Sequence, residues 1–243
     1  MSDSKKITGV KISEGEGAKV NRLFPNENYE GHHDPFVLMD EFSVEAPAEF
    51  PEHEHRGFEA ITYMLEGSFI HEDNLGNKAE VKKGGVQAFN AGKSIIHSEK
   101  PGSEKLSHGI QLWVNLPKAK KDSDPTYFQL EQTKLIKNTK NVQMEEILGE
   151  NSPINLNNEL KYLDININNK QEFSYSLDQD KTGILYLITG ELEGKENMKP
   201  GEGLLLSIGA NFKVKIVNNP AHFLIISGKP HNLPIKINGT FVE

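Results

Sequence analysis

Apolar and polar residues alternate in short runs along this chain, and turn residues separate the runs. The clearest run covers residues 57–67, where β-branched and aromatic residues end in a turn glycine. Further short runs cover residues 68–72, 86–89 and 95–97, with turns rich in Asn and Gly between them. Runs of this length and composition are typical of β-strands. The pattern predicts short antiparallel strands that form a small barrel or jelly roll.

The second half of the chain repeats the spacing of the first half. Residues 186–190 have the Tyr-x-x-x-Gly spacing of residues 63–67, and the Lys- and Gly-containing turn at 199–203 resembles the one at 82–85. A repeat of this kind predicts two similar domains in tandem. Chance is the alternative explanation, because hairpins in general favour these residues.

We therefore predict an all-β chain of two jelly-roll barrels, with few short helices. The expected domains are residues 1–132 and residues 133–243, because the stretch after residue 132 is polar and rich in Asn. Within that stretch, residues 145–149 are expected to form a short helix.

Two pairs of candidate metal ligands lie in the first half: His53 with His55, and His97 with Glu99. In a β-strand, residues i and i+2 project from the same face, about 7 Å apart along the strand. Neighbouring strands would thus aim three imidazoles and one carboxylate at one point, a ligand set that suits a divalent or trivalent transition metal. The alternative for an isolated His-x-His is a pair of solvated loop histidines.

Several other polar residues have less specific explanations. His71 is expected on the solvent side of an edge hairpin. His108 shares the parity of the apolar residues in its strand, so it is either a core histidine or part of a pocket wall. Gln111 and Trp113 have the opposite parity, and burial beneath the second domain is the simple explanation for them.

The residues around the first ligand pair resemble the first sequence motif of the cupin superfamily, G(X)5HXH(X)3-4E(X)6G. His53, His55 and Glu59 match its centre, and Gly67 comes one residue later than the motif expects. The second cupin motif, G(X)5PXG(X)2H(X)3N, is matched more loosely. Its spacing is kept by Gly84, Asn90 and Gly92, with asparagine in place of proline and with His97 after four residues instead of two.

These departures are the ones seen in pirins, a family of cupins, and further segments also resemble pirins. The resemblance is dense from about residue 30 to residue 118 and resumes near the C-terminus. The segments that carry it are residues 34–42, 53–59, 63–67, 96–99, 108–116, 228–230 and 234–242.

The resemblance to pirins implies a metal, usually iron, held at His53, His55, His97 and Glu99. Zn, Mn, Co, Ni and Cu are alternatives with the same ligands. If the internal repeat is aligned correctly, Ser176 and Asp178 replace the first histidine pair in the second half, so one metal per chain is expected.

Composition narrows the possible functions. The chain has no cysteine, which excludes disulfides, zinc-thiolate sites and thiol nucleophiles. Its net charge is −8, and Lys and Arg are scattered, so direct binding to nucleic acid is not expected. The N-terminal residues lack an apolar signal segment and no run is long enough to span a membrane. We expect a soluble cytoplasmic protein.

The resemblance implies a dioxygenase that cleaves quercetin-type flavonols with O2, because pirin-like proteins and cupin quercetinases are known for this 2,3-dioxygenase reaction. Four protein ligands on an octahedral ion leave two positions for O2 or a substrate. Glu59 has the same strand parity as His53 and His55, so it is expected either to face the metal and accept a proton there or to pair with Arg56 or a lysine. The alternative function is a non-catalytic regulator whose metal oxidation state alters binding to a protein partner. A cupin isomerase or a purely structural metal is a third possibility.

Overall fold

We describe residues 4–102 and 106–243 of a computed structural model. The only helical element in these residues is a 3-10 turn at Lys118–Lys120, so the predicted all-β class is confirmed. The strands in chain order are β1 (Ser4–Thr8), β2 (Val10–Glu14), β3 (Ala18–Phe24), β4 (Phe36–Glu45), β5 (Phe50–His55), β6 (Phe58–Glu66), β7 (Ser68–Asp73), β8 (Lys78–Lys82), β9 (Val86–Asn90), β10 (Ile95–Pro101), β11 (Leu106–Asn115), β12 (Thr126–Leu130), β13 (Lys134–Asn138), β14 (Val142–Leu148), β15 (Leu160–Ile167), β16 (Glu172–Ser176), β17 (Thr182–Glu193), β18 (Glu202–Leu206), β19 (Asn211–Gly228), β20 (Ile237–Asn238) and β21 (Phe241–Val242).

The prediction of a short helix at residues 145–149 is wrong, because residues 145–148 belong to strand β14 and Gly149 follows its end. Strand β14 pairs antiparallel with β15 along most of its length. Ile147 and Leu148 are buried, and the neighbouring strand satisfies the main-chain groups that a helix would have satisfied internally.

The chain divides into two compact units, each assembled from segments that are distant in sequence. The first unit contains Val10–Thr133, Pro153–Asn158 and His231–Glu243, and the second contains Lys134–Ser152, Glu159–Pro230 and the described residues up to Gly9. The sequence predicts a domain boundary between residues 132 and 133, and this boundary stays a prediction.

The first unit contains two main sheets whose apolar side chains share a core. The larger sheet has seven strands in the order β12-β9-β6-β11-β4-β3-β2, and the smaller has four in the order β5-β10-β7-β8. Phe42 and Met64 of the larger sheet form one buried cluster with Phe69 and Val81 of the smaller sheet. The two sheets therefore enclose the space in which the predicted ligands lie.

The tight turn between β6 and β7 requires glycine. Gly67 has a φ of 70°, and a side chain at this position would collide with the main-chain carbonyl of Leu106. This turn fixes where β7 begins, and so it fixes which residues of β7 face the interior.

The C-terminal segment of the first unit lies beside the end of β5. The amide of Val242 donates a hydrogen bond of 2.9 Å to the carbonyl of Arg56. The ammonium group of Lys121 donates to the carbonyls of both Gly57 and Val242, at 2.9 Å each. These bonds hold Thr240 next to the predicted ligand His55.

The second unit contains an eight-stranded sheet in the order β1-β18-β17-β19-β15-β14-β13, with β16 paired to the long strand β19. One buried cluster of this unit includes Leu185, Leu187, Phe223 and Ile225. No helix in the described part of the chain is long and apolar enough to cross a membrane.

Candidate metal centre

Three paired strands of the smaller sheet bring the predicted ligands together. Strand β10 lies between β5 and β7. His97 of β10 is opposite His53 on one side and opposite Asp73 on the other, while Glu99 is opposite His71. A β-bulge between His97 and Glu99 shifts the register against β5.

His53, His55 and His97 form one group that could hold a metal, with candidate ligand atoms within 4.8 Å of one another. The ring centroids are 4.5 Å apart for His53 and His55, 4.6 Å for His53 and His97, and 4.9 Å for His55 and His97. His55 and His97 are almost completely buried, at 2% and 1% exposure. The structure thus brings these three predicted ligands together, and metal binding by them stays a prediction.

Hydrogen bonds orient the first two imidazoles. The Nδ1 atom of His53 is 2.7 Å from the carbonyl oxygen of Pro51, and the Nδ1 atom of His55 is 3.4 Å from that of Thr240. A carbonyl oxygen only accepts, so Nδ1 carries the proton in each ring and Nε2 keeps its lone pair.

The Nε2 atom of His97 is the strongest indication that the site fits a metal. It is buried and has no hydrogen-bond partner among the described residues. A buried polar atom without a partner costs about 1–3 kcal/mol, so such atoms are rare unless they have a role. The lone pair of a neutral imidazole nitrogen is an ordinary ligand for a transition metal.

The surroundings keep the three imidazoles neutral. Burial lowers the pKa of His55 to about 3 and also lowers the pKa of His53. Burial lowers the pKa of His97 well below its usual value, and the neighbouring histidines lower it further. Only the neutral form of histidine binds a metal, so this environment favours binding.

Glu99 belongs to a second, overlapping group. Its carboxylate lies with His71 and His97, again with ligand atoms within 4.8 Å. The side-chain amide of Gln111 donates to Glu99 at 3.2 Å, and that of Gln87 donates to the other carboxylate oxygen. Burial raises the pKa of Glu99 to about 7, although the two amide donors lower it. The structure thus divides the four predicted ligands between two groups that share His97.

His71 is a site residue that the sequence interpretation missed. It was expected on the solvent side of an edge hairpin, but it is fully buried and β7 lies between β10 and β8. Its Nδ1 atom is 3.2 Å from Nδ1 of His97. The available signal was its parity with Phe69, an aromatic residue two positions earlier on the same strand.

Glu59 lies in the larger sheet and contacts other residues than expected. Strand β5 ends at His55 and β6 begins at Phe58, so strand parity does not continue from the histidines to Glu59. The Glu59 carboxylate is fully buried and accepts four hydrogen bonds of 2.6–3.2 Å, from the main-chain and side-chain amides of Asn157 and Asn158. Neither Arg56 nor a lysine is among these donors. A role for Glu59 in proton transfer stays a prediction.

A cavity of about 480 Å³ opens onto His53 and His55. Its volume lies within the range of about 300–1,000 Å³ that is usual for small-molecule sites. Its wall is mainly apolar, and its aromatic residues are Phe42, Phe50, Phe69 and Trp113. The wall also contains Gln111 and the paired charges of Glu14, Arg22 and Asp40.

Gln111 and Trp113 lie in the wall of this cavity, and contacts within the first unit explain their burial. The indole Nε1 of Trp113 donates to Oε1 of Gln111 at 3.2 Å, and Gln111 in turn donates to Glu99. The Trp113 ring also contacts His55 edge to face, with centroids 5.0 Å apart. These two residues therefore connect the cavity wall to two of the predicted ligands.

His108 belongs neither to the core nor to the cavity wall. Its side chain is 22% exposed and its Nε2 lies 2.8 Å from the Glu41 carboxylate. The register with β6 shifts between His108 and Gly109, and the extra residue there belongs to β6. The parity of the apolar residues that follow therefore does not predict the environment of His108.

The candidate metal groups among the described residues all lie between His53 and Glu99. Ser176 and Asp178, the expected counterparts of the first histidine pair, are exposed in the second unit. Asp178 pairs there with Lys181 at 3.1 Å.

Comparison with known proteins gives two family matches that together cover both halves of the chain. Residues 17–114 match the family profile described as Pirin, and residues 162–243 match the profile described as Pirin C-terminal cupin domain. The predicted fold of two cupin domains is thereby confirmed. Pirin from Homo sapiens is 34% identical over 258 residues, which cover 100% of this chain and 89% of the human protein.

Two solved structures share the fold. The crystal structure of quercetin 2,3-dioxygenase from Acinetobacter baumannii matches with a TM-score of 0.89 at 24% identity, over 100% of this chain and 92% of that chain. A bacterial pirin from Escherichia coli in complex with nickel(II) matches with a TM-score of 0.76 at 18% identity, over 94% of this chain and 99% of that chain.

Proposed function

Because this chain belongs to the pirin family, we propose that it is a metal-dependent dioxygenase that cleaves quercetin-type flavonols with O2. The observation that carries the proposal is the group of His53, His55 and His97 in and beside the wall of an aromatic cavity. A buried metal-binding group next to a cavity of this size is the usual arrangement of a small-molecule enzyme site.

The proposed ligands are His53, His55, His97 and Glu99, and the expected metal is one iron ion per chain. Three neutral imidazole nitrogens and one carboxylate also suit Zn, Mn, Co, Ni and Cu, so the donor set alone does not select iron. The nickel(II) complex of the bacterial pirin with the same fold supports binding of a transition metal here. Glu99 can act as the fourth ligand once its carboxyl group is deprotonated.

A bound transition metal would supply Lewis acidity, which lowers the pKa of the flavonol hydroxyl that lies beside the carbonyl and makes the ring electron-rich towards O2. The residues of this chain provide the rest of the site. Phe42, Phe50 and Phe69 offer flat apolar surface to the substrate rings, and Trp113 closes the wall next to His55. This apolar lining limits the access of water to the reacting ring.

The functional test is isotope incorporation by the metal-loaded protein. Protein purified without a histidine tag is stripped of metal, reloaded with Fe(II) and mixed with quercetin under ¹⁸O2. The proposal predicts ring-opened product that contains both labelled oxygen atoms. A matched control is His222→Ala, which removes a histidine paired with Asp164 in the second unit and leaves the first unit intact.

A metal-loaded protein that consumes neither quercetin nor O2 would contradict the enzyme proposal. The regulator then becomes the better explanation, and it makes a different prediction. A protein partner would bind the oxidised and reduced iron forms with different affinity, whereas a dioxygenase needs no such partner.

A further inference from the structure

His71 and Asp73 form a hydrogen-bonded chain that ends on His97. The Nε2 atom of His71 is 2.9 Å from Oδ2 of Asp73, and both side chains are fully buried. On the opposite edge of the His71 ring, Nδ1 is 3.2 Å from Nδ1 of His97. The three side chains therefore follow one another from β7 to β10.

The Asp73 carboxylate determines which atom donates in each of these hydrogen bonds. Oδ1 of Asp73 already accepts from the main-chain amides of Leu75 and Asn77, and a carboxylate offers only acceptors, so Oδ2 accepts from Nε2 of His71. The neutral imidazole of His71 thus carries its single proton on Nε2. Its Nδ1 is then an acceptor, and the facing Nδ1 of His97 must be the donor.

The consequence appears at the other nitrogen of His97. With the proton on Nδ1, the Nε2 atom keeps its lone pair, and this is the buried atom that has no partner within the described part of the chain. His53 and His55 are oriented by main-chain carbonyls, which are neutral dipoles. His97 is oriented by a carboxylate through a second imidazole, which makes its ring more electron-rich than the other two.

The orienting carboxylate is itself held rigidly. Oδ1 of Asp73 accepts hydrogen bonds from the amides of Leu75 and Asn77 at 2.9 and 3.0 Å, in the turn after β7. Tyr127 stacks on the His71 ring with centroids 4.5 Å apart. Neither His71 nor Asp73 can rotate away without loss of these contacts.

We propose that Asp73 and His71 are positioning residues that hold His97 in the tautomer whose Nε2 can bind a metal. The inference rests on the metal site proposed above, but not on the dioxygenase reaction. It assigns no catalytic step to either residue. Their effect is on metal affinity and on the electron density at the bound ion.

Two substitutions interrupt the hydrogen bonds between Asp73, His71 and His97 at different points. Asp73→Asn keeps Oδ1 for the turn amides but places an amide donor against His71, which reverses the direction and moves the His97 proton to Nε2. His71→Leu removes the link altogether. His71→Gln is the conservative rescue, because its amide can donate to Asp73 and accept from His97. Leu75→Ala is the control, because it shortens an exposed side chain in the same turn and keeps the main-chain amide that donates to Asp73.

The first measurement is made on metal-free protein, so it does not depend on the metal site. Long-range ¹H–¹⁵N NMR of the imidazoles reports which nitrogen carries the proton. We expect His97 with its proton on Nδ1 in the wild type and in Leu75→Ala, and on Nε2 in Asp73→Asn. A wild-type His97 that carries its proton on Nε2 would overturn the inference.

The second measurement is metal affinity by chelator competition, together with the Fe(III)/Fe(II) midpoint potential. We expect Asp73→Asn and His71→Leu to weaken binding about 10–100-fold and to raise the potential, with His71→Gln close to the wild type. Equal affinity in all folded variants would overturn the inference while leaving the proposed site intact. If Asp73→Asn does not fold, the contrast between His71→Leu and His71→Gln decides. A wild type that binds no metal but has the expected tautomer would contradict the proposed function alone.

Discussion

His53 lies directly opposite His97 across the paired strands β5 and β10, with ring centroids 4.6 Å apart. Because side chains alternate along a strand, a slip of one residue in this pairing would turn one of the two imidazoles away from the other. The register of two strands about forty residues apart in sequence is thus what creates the candidate site.

Removal of one imidazole should release the metal while the barrel stays folded. We expect His55→Ala or His97→Ala to reduce the metal content of purified protein to near zero, because the remaining ligands no longer act as one chelate. Elemental analysis measures the metal, and circular dichroism checks the fold. His222→Ala in the second unit serves as the control and should keep its full metal content. Full occupancy in a His55, His97 double variant would show that the metal lies elsewhere.

The stoichiometry should be one metal per chain. The groups of possible ligands among the described residues are confined to His53–Glu99, and Ser176 and Asp178 of the second unit are exposed. Titration of metal-free protein with Co(II), followed by its absorption, should saturate at one equivalent. A second tight equivalent would mean that the second unit has a site of its own and that the internal repeat is misaligned.

Metal affinity should fall in acid at a pH set by Glu99. Burial raises the pKa of Glu99 to about 7, so below that pH the metal must displace a proton from the carboxyl group. The histidines contribute no proton near pH 7, because burial lowers the pKa of His53, His55 and His97. Affinity should therefore fall about tenfold for each pH unit below about 7.

Competition titrations between about pH 5.5 and about pH 8 measure this slope. Glu99→Gln should bind more weakly and lose the slope near pH 7, because its amide has no proton to release. A wild type whose affinity does not change across this range would contradict the assignment of Glu99 as a ligand.

Features that depend on local sequence could be predicted without the structure. The strands follow from runs of β-forming residues between turns, and the two ligand pairs follow from the spacing of two residues along a strand. Resemblance to known motifs then identified the family. Each of these inferences uses residues that are close together in the chain.

Features that depend on strand register or on interruptions of a strand could not be predicted from the sequence. His71 joins the site because it is paired with Glu99, 28 positions later in the chain. The break between β5 and β6 separates Glu59 from the strand parity of His53 and His55. The four amide donors to Glu59 come from Asn157 and Asn158, a distant segment that no local pattern connects to it.

Glu59→Gln should destabilise the first unit. The glutamine amide can accept on one atom only, so its NH2 group would face amide donors of Asn157 or Asn158. Loss of acceptors for buried donors costs about 1–3 kcal/mol in the free energy of unfolding, which urea denaturation measures. Glu66→Gln, at an exposed position at the end of the same strand, is the matched control and should have no such effect.

The same variant tests the predicted role of Glu59 in proton transfer. A folded, metal-loaded Glu59→Gln protein that binds quercetin but turns it over slowly would support that role. Turnover equal to that of the wild type would contradict it and leave Glu59 with its structural contacts alone.

The central claim is that the metal site of the first unit activates a flavonol for reaction with O2, and absorption spectroscopy in two stages tests it most directly. Quercetin added without air to metal-loaded protein should show an absorption band shifted to the red, because its hydroxyl group ionises at the site. Admission of air should then bleach that band while an oxygen electrode records O2 consumption, and metal-free protein should show neither change. Metal-loaded protein that produces no shift and consumes no O2 would contradict the account.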